Sequence, residues 1–242
     1  MTKNETKTLI LFGVSIIFAN LVLRLLLKPL PEEIAYLIKT LVLGCGYYFL
    51  VHKRLGLKIN STKKISLSET LSVCWLVLLA DFFYISAAAF GISKAPHMIG
   101  TALIIALGAG FFEEYVFRGL FLKLAFQDGI RSSKQVLGVV LLSALSFGLA
   151  HLGNLLTHQP LNSTLFQVYY ATAIGIFYAA IYLRTGSLWW TIVLHCLIDF
   201  ASVLISQSTQ AAPATSIWHF IFWLPLIALG LFLIRPKKIE SH

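Results

Sequence analysis

The stretch Ile105–Leu120, IALGAGFFEEYVFRGL, sets two adjacent carboxylates, Glu113 and Glu114, and a guanidinium, Arg118, inside a run otherwise composed like a membrane span. An ionised side chain at bilayer depth costs roughly 3 kcal/mol even on the mildest scale, so three together are read as a functional site. Glu114 and Arg118 stand four apart, share one helical face and can pair. Glu113 points about a quarter-turn away, which leaves a carboxylate that the arginine does not claim.

The rest of the chain supports a membrane setting. Of 242 residues, 58% are hydrophobic and only 12% charged, and the mean hydropathy is +0.82. These values lie outside the range of soluble globular domains. Eight stretches are long and apolar enough to span: about Thr8 to Leu27, Ile34 to Val51, Leu67 to Phe90, Met98 to Leu120, Gln135 to Leu155, Leu165 to Leu183, Leu188 to Ile205 and Ile217 to Ile234. The expected fold is an all-α, polytopic transmembrane helix bundle of about eight spans, one membrane domain over residues 1–242 with no internal repeat. The run from Thr8 is too long for a signal peptide and no small-residue cleavage site follows it, so it is read as an uncleaved first span.

The net charge of +9 does not point to nucleic acid, because the basic residues sit in short clusters between apolar runs. Lys53, Arg54, Lys58, Lys63 and Lys64 follow span two; Lys123, Arg131 and Lys134 follow span four; Arg235, Lys237 and Lys238 follow the last. With an even number of spans these share a side, and the positive-inside rule makes both termini cytoplasmic, in a cell membrane crossed many times. Trp189 and Trp190, beside Arg184, read as interfacial anchors. Cys45, Cys74 and Cys196 lack metal-ligand spacing and are expected to be buried thiols.

Further ionisable groups lie at depth: Asp81 and Asp199 among the acids, His151 and His195 among the histidines. Phe147 and His151 stand four apart in span five, and His195 and Asp199 four apart in span seven. Each pair shares a helical face, and Asp199 can accept one imidazole N–H, setting the tautomer of His195. Asp81 is expected to make a helix-to-helix hydrogen bond, and whether it or Asn154 joins the site is open. Polar groups in hydrocarbon face the bundle interior, so a wet cavity between spans four, five and seven is expected.

These residues carry a family resemblance. EEYVFR (Glu113, Glu114, Arg118), FGLAH (Phe147, His151) and HCLID (His195, Asp199) have the forms EExxxR, FxxxH and HxxxN-or-D. In that order and in successive spans they resemble the CAAX prenyl protease and bacteriocin-processing family of intramembrane endopeptidases. The likeness covers about Phe111 to Asp199, within a core of about 98–205. It implies hydrolysis of a peptide bond in a membrane-associated peptide or protein, in bacteriocin self-immunity or peptide maturation. The last motif position is Asp199 where the eukaryotic enzymes carry Asn.

The chemistry agrees with the resemblance. A carboxylate in a dry site beside a second carboxylate is suited to take a proton from water and pass it to the leaving amine. That role falls to Glu113, with Glu114 held by Arg118 as its neighbour. His151 would position the water, and His195, supported by Asp199, would hold the oxyanion. Two histidines and a glutamate are also a recognised zinc set with an open fourth position, so Glu113, His151 and His195 would be the ligands of a zinc ion. The family has been described in both metal-dependent and metal-free terms. The usual HExxH helix is absent and the two histidines come from separate helices, so the sequence leaves both forms open, with a slight preference for the metal-free one.

A depth difficulty follows from ~1.5 Å of rise per residue, which places His151 about 24 Å into its span while Glu113 and His195 lie at about 10 Å. The repair is that spans four and five extend past the membrane, with Leu120 to Phe126 still helical. Two rival functions remain: a non-catalytic bacteriocin immunity or scaffold protein, separated by whether Glu113→Ala and His195→Ala cells stay protected, and a proton-coupled transporter, disfavoured by the absence of a repeated half.

Overall fold

Apolar runs of twenty residues have no water to bond their backbone, so they close their hydrogen bonds within themselves. The computed structural model describes residues 3–54, 56, 65–213 and 216–235, and among them every regular element is helical. Seven helices are long and apolar enough to cross a membrane: Lys3–Leu27, Glu32–Lys53, Leu67–Lys94, Pro96–Ala125, Ser133–Thr157, Leu161–Thr185 and Trp189–Ser206. They correspond to the first seven stretches read from the sequence.

The eighth stretch is shorter. It forms α9 (Ile217–Ile221) and α10 (Leu224–Leu233), with a proline in the first turn of α10. Pro225 has no N–H and fits only a helix start, so the break is written into the sequence. Even taken end to end, Ile217–Leu233 reaches only about 26 Å at ~1.5 Å per residue, short of a ~30 Å hydrocarbon core. Of the loop cations used to orient the chain, Lys58, Lys63, Lys64, Lys237 and Lys238 lie outside the described residues.

The remaining elements are α1 (Lys3–Leu27), α2 (Glu32–Phe49), α3 (Leu67–Lys94), α4 (Ile99–Glu114), α5 (Phe121–Ala125), α6 (Ser133–Ala150), α7 (Leu161–Thr185) and α8 (Trp189–Ser206). α7 is the innermost span, with 67% of its apolar window buried against 22% for each of the first three spans. It packs on α6 and α10; α8 packs on α3 and α4; α1 and α2 lie against α6 and α4. Phe117, Phe121, Val140, Ala144, Phe177 and Ile181 fill the centre, while Leu11, Phe18, Phe82, Phe83 and Leu107 point outward.

Where helices cross most closely, small residues stand at the contact, as is usual where no hydrophobic force drives association. A Cβ on Gly175 would lie 3.0 Å from the Cα of Ala144, which brings α7 onto α6. Gly110 does the same for α4 on α8, with the backbone N of Cys196 and O of Ile192 each 3.1 Å from its would-be Cβ.

Span four runs unbroken from Pro96 to Ala125 through a 3₁₀ turn, α4, a π-helical segment Tyr115–Leu120 and α5. Its 30 residues extend about 45 Å at ~1.5 Å each, longer than a ~30 Å hydrocarbon core. Helix persists through Ala125, while Phe126 already belongs to the turn that follows. Two of the three thiols also differ from expectation: Cys74 is buried, Cys196 only half-buried, and Cys45 exposed.

Candidate active site

The site is built where α4 crosses α8. The missing side chain at Gly110 lets the two backbones meet, and one turn further along α4 Glu113 and Glu114 arrive beside His195, the neighbour of Cys196. Glu114 is fully buried and ion-pairs with Arg118 at 2.8 Å, as their spacing predicts. The same oxygen, Oε1, accepts from Nδ1 of His195 at 3.0 Å. A carboxylate only accepts when ionised, so Nδ1 carries a proton and Nε2 is the working nitrogen.

Around Nε2 stand two more carboxylates, Asp199 at 3.5 Å and Glu113 at 3.8 Å. The sequence reading gave Asp199 the orienting bond to His195 and left Glu114 as a neighbour of Glu113. The structure places Glu114 in the orienting position and sets Asp199 on the same nitrogen as Glu113. Exposure separates the adjacent glutamates: the side chain of Glu114 is 0% exposed, that of Glu113 21%.

Arg118 sits in the π-helical segment, a widened turn often found at functional sites. Its guanidinium carbon lies 4.3 Å from the ring centre of Phe147 and 5.3 Å from that of Tyr178, so the charge is held between two aromatic faces. Ser143 of α6 donates to the carbonyl of Phe117 at 2.7 Å, satisfying a backbone group in that segment.

His151 closes α6 and opens a 3₁₀ segment, His151–Thr157. Its Nδ1 lies 3.0 Å from the carbonyl of Phe147; a carbonyl can only accept, so Nδ1–H donates and Nε2 is left as an acceptor. The ring of Phe147 contacts both imidazoles, with centroids 5.1 Å from His151 and 6.0 Å from His195. The FxxxH spacing thus joins the two histidines through one aromatic side chain.

Glu113 and His151 line a cavity of about 30 Å³. A single water needs roughly 10–15 Å³ by this measure, so the space suits one or two. The other walls come from Asn20 and Arg24 of α1 and Tyr36, Lys39 and Thr40 of α2. This cavity therefore lies between spans one, two, four and five, and His195 is not among its lining residues, whereas the sequence leads one to expect a cavity between spans four, five and seven. Arg24 and Lys39 also lie within the first two apolar stretches, where a count of acids and histidines at depth does not find them and a count of cations does.

Asp81 has no hydrogen bond or ion pair with these groups among the described residues, and its Oδ1 is buried without a hydrogen-bond partner, so the helix-to-helix bond expected of it is not made. Asn154 instead donates to Gln167 at 2.6 Å, tying the 3₁₀ segment to α7. Among the described residues no three His, Cys, Asp or Glu side chains stand together as a set that could hold a metal ion, so Glu113, His151 and His195 do not fit zinc as placed.

Comparison with protein families matches residues 95–201 to the model described as Type II CAAX prenyl endopeptidase Rce1-like. The matched segment takes in all six charged and imidazole residues of the three motifs, and it is the family that those motifs resemble. No curated protein and no solved structure matches the chain significantly.

Proposed function

We propose that the chain is an intramembrane endopeptidase in which Glu113 activates water against a peptide bond of a membrane-associated peptide or protein. The observation that carries this reading is the position of Glu113, within 3.8 Å of a fixed imidazole on one side and on a water-sized cavity shared with His151 on the other.

The steps follow from the geometry. Glu113 takes a proton from a water that Nε2 of His151 helps to orient, and the water oxygen bonds to the scissile carbon. Nε2 of His195 donates to the developing oxyanion, its other nitrogen fixed by Glu114, which Arg118 in turn holds. Asp199, 3.5 Å from the same nitrogen, helps to hold the imidazole in place for that role. Glu113 then hands its proton to the leaving amine as the C–N bond breaks. The distance of 3.8 Å is long for a direct hydrogen bond, as catalytic contacts commonly are before substrate binds.

In a bacterial membrane the substrate we favour is a peptide precursor, processed in bacteriocin self-immunity or peptide maturation. Glu113→Gln keeps the shape and removes the base, so cleavage followed by mass spectrometry in membranes should fall by about 10²–10⁴-fold. Undiminished cleavage would reject the assignment.

A further inference from the structure

Two cations on the first two spans, a buried Lys39 and a part-buried Arg24, have no part in the chemistry above. Lys39 is only 7% exposed, and no acceptor stands within hydrogen-bond or ion-pair reach among the described residues; its Nζ lies 4.4 Å from the ring centre of Tyr36. Arg24 has a buried Nε with no partner. Charges in apolar surroundings are normally paired, so Lys39, with only an aromatic face beside it, leaves room for an anion, and Arg24 supplies a second charge on the same cavity wall.

Both residues, with Tyr36, line the small cavity at Glu113 and also a second cavity of about 270 Å³. The second opens around Lys28, Glu32 and His158, where α1 ends and α2 begins. Arg24 and Lys39 thus stand between the larger cavity and the small one at the candidate base. Glu113 shares the small cavity with both and interacts with their charge across it, but stands in ion-pair contact with neither among the described residues.

We propose that Arg24 and Lys39 form an anion subsite that holds a carboxylate of the peptide substrate while the scissile bond lies at Glu113. This rests on the endopeptidase reading. A guanidinium presents paired N–H groups that match a carboxylate in geometry, and the lysine supplies a second charge beside it. The carboxylate comes either from an acidic side chain or from the peptide's C-terminus.

The test uses the full chain in maltoside micelles and a library of N-acetylated octapeptides. Each sequence is made with a free C-terminus, with an amidated one, and with Asp and Glu changed to Asn and Gln. Cleavage is read by mass spectrometry, and binding to the Glu113→Gln protein by fluorescence polarisation. Carboxylate-bearing peptides should bind at least tenfold more tightly than their neutral counterparts, and whichever change abolishes the preference identifies the source. Lys39→Met and Arg24→Gln should erase that ratio, while Lys39→Arg should keep most of it.

Equal binding of charged and neutral forms overturns the proposal, as does binding by no member of the library. Equal weakening of both forms by Lys39→Met, the behaviour of a residue that only supports the fold, overturns it too. Carboxylate-dependent binding without cleavage by the unsubstituted protein keeps the subsite and overturns the endopeptidase reading; cleavage without that preference does the reverse. If added phosphatidylglycerol raises the melting temperature only when Lys39 is present and displaces no peptide, the cavity holds a lipid phosphate and the proposal fails.

Discussion

At the scale of the residue, two glutamates adjacent in sequence receive different work from burial alone. Glu114 is sealed with Arg118 and fixes His195, whereas Glu113 keeps access to the cavity. Removing one partner of a buried ion pair leaves an uncompensated charge, so Arg118→Met should destabilise the protein by about 3–5 kcal/mol, read as a fall in melting temperature in detergent. The double variant Glu114→Leu, Arg118→Met should recover most of that stability and none of the cleavage, because His195 then has no acceptor for Nδ1–H. The pairing of Glu114 with Arg118 was legible from their spacing. The bond from His195 to Glu114 was not, since linear order does not say which of two neighbours on α4 faces α8. Nor did it reveal that Asp199 and Glu113 share one nitrogen, which depends on how far α8 is rotated about its own axis.

At the scale of the element, α4 is positioned by what Gly110 lacks. Backbone atoms of α8 lie 3.1 Å from where a Cβ would go, and backbone cannot move aside as a flexible side chain can. Gly110→Ala should therefore push the two helices apart, costing about 1–3 kcal/mol of stability, and a displacement of this kind one turn from the site should lower cleavage by about 10²-fold. Melting and cleavage assays on the same preparation check both. Seven spans were legible because twenty-residue apolar runs admit no other structure. The break in the last apolar run was also present in the sequence, as Pro225, but hydropathy averaged over a window conceals a single proline. The π-helical turn that carries Arg118 leaves no trace in periodicity, since one widened turn shifts the register by less than the pattern resolves.

At the scale of the whole molecule, the positive clusters predict that both chain ends face the cytoplasm, which requires Ile217–Leu233 to cross despite its shortness. Reporters fused at each end should then both be active in the cytoplasm; activity on opposite sides would mean that the last helix pair lies along the membrane surface instead. The motifs pointed to α4, α6 and α8 but were silent about α1 and α2, whose contribution is a wall and not a motif. Yet Asn20, Arg24, Tyr36 and Lys39 enclose the water-sized space at Glu113. If Glu113 is the base, the segment 95–201 that carries the family likeness should not work by itself: stripped of the first two helices, the base would be coated with acyl chains and starved of its co-substrate. Residues 65–235 expressed alone should insert and stay inert, and supplying 1–64 as a separate polypeptide should restore turnover. On the endopeptidase reading, the opening hairpin is a gasket that keeps oil out of a reaction that consumes water.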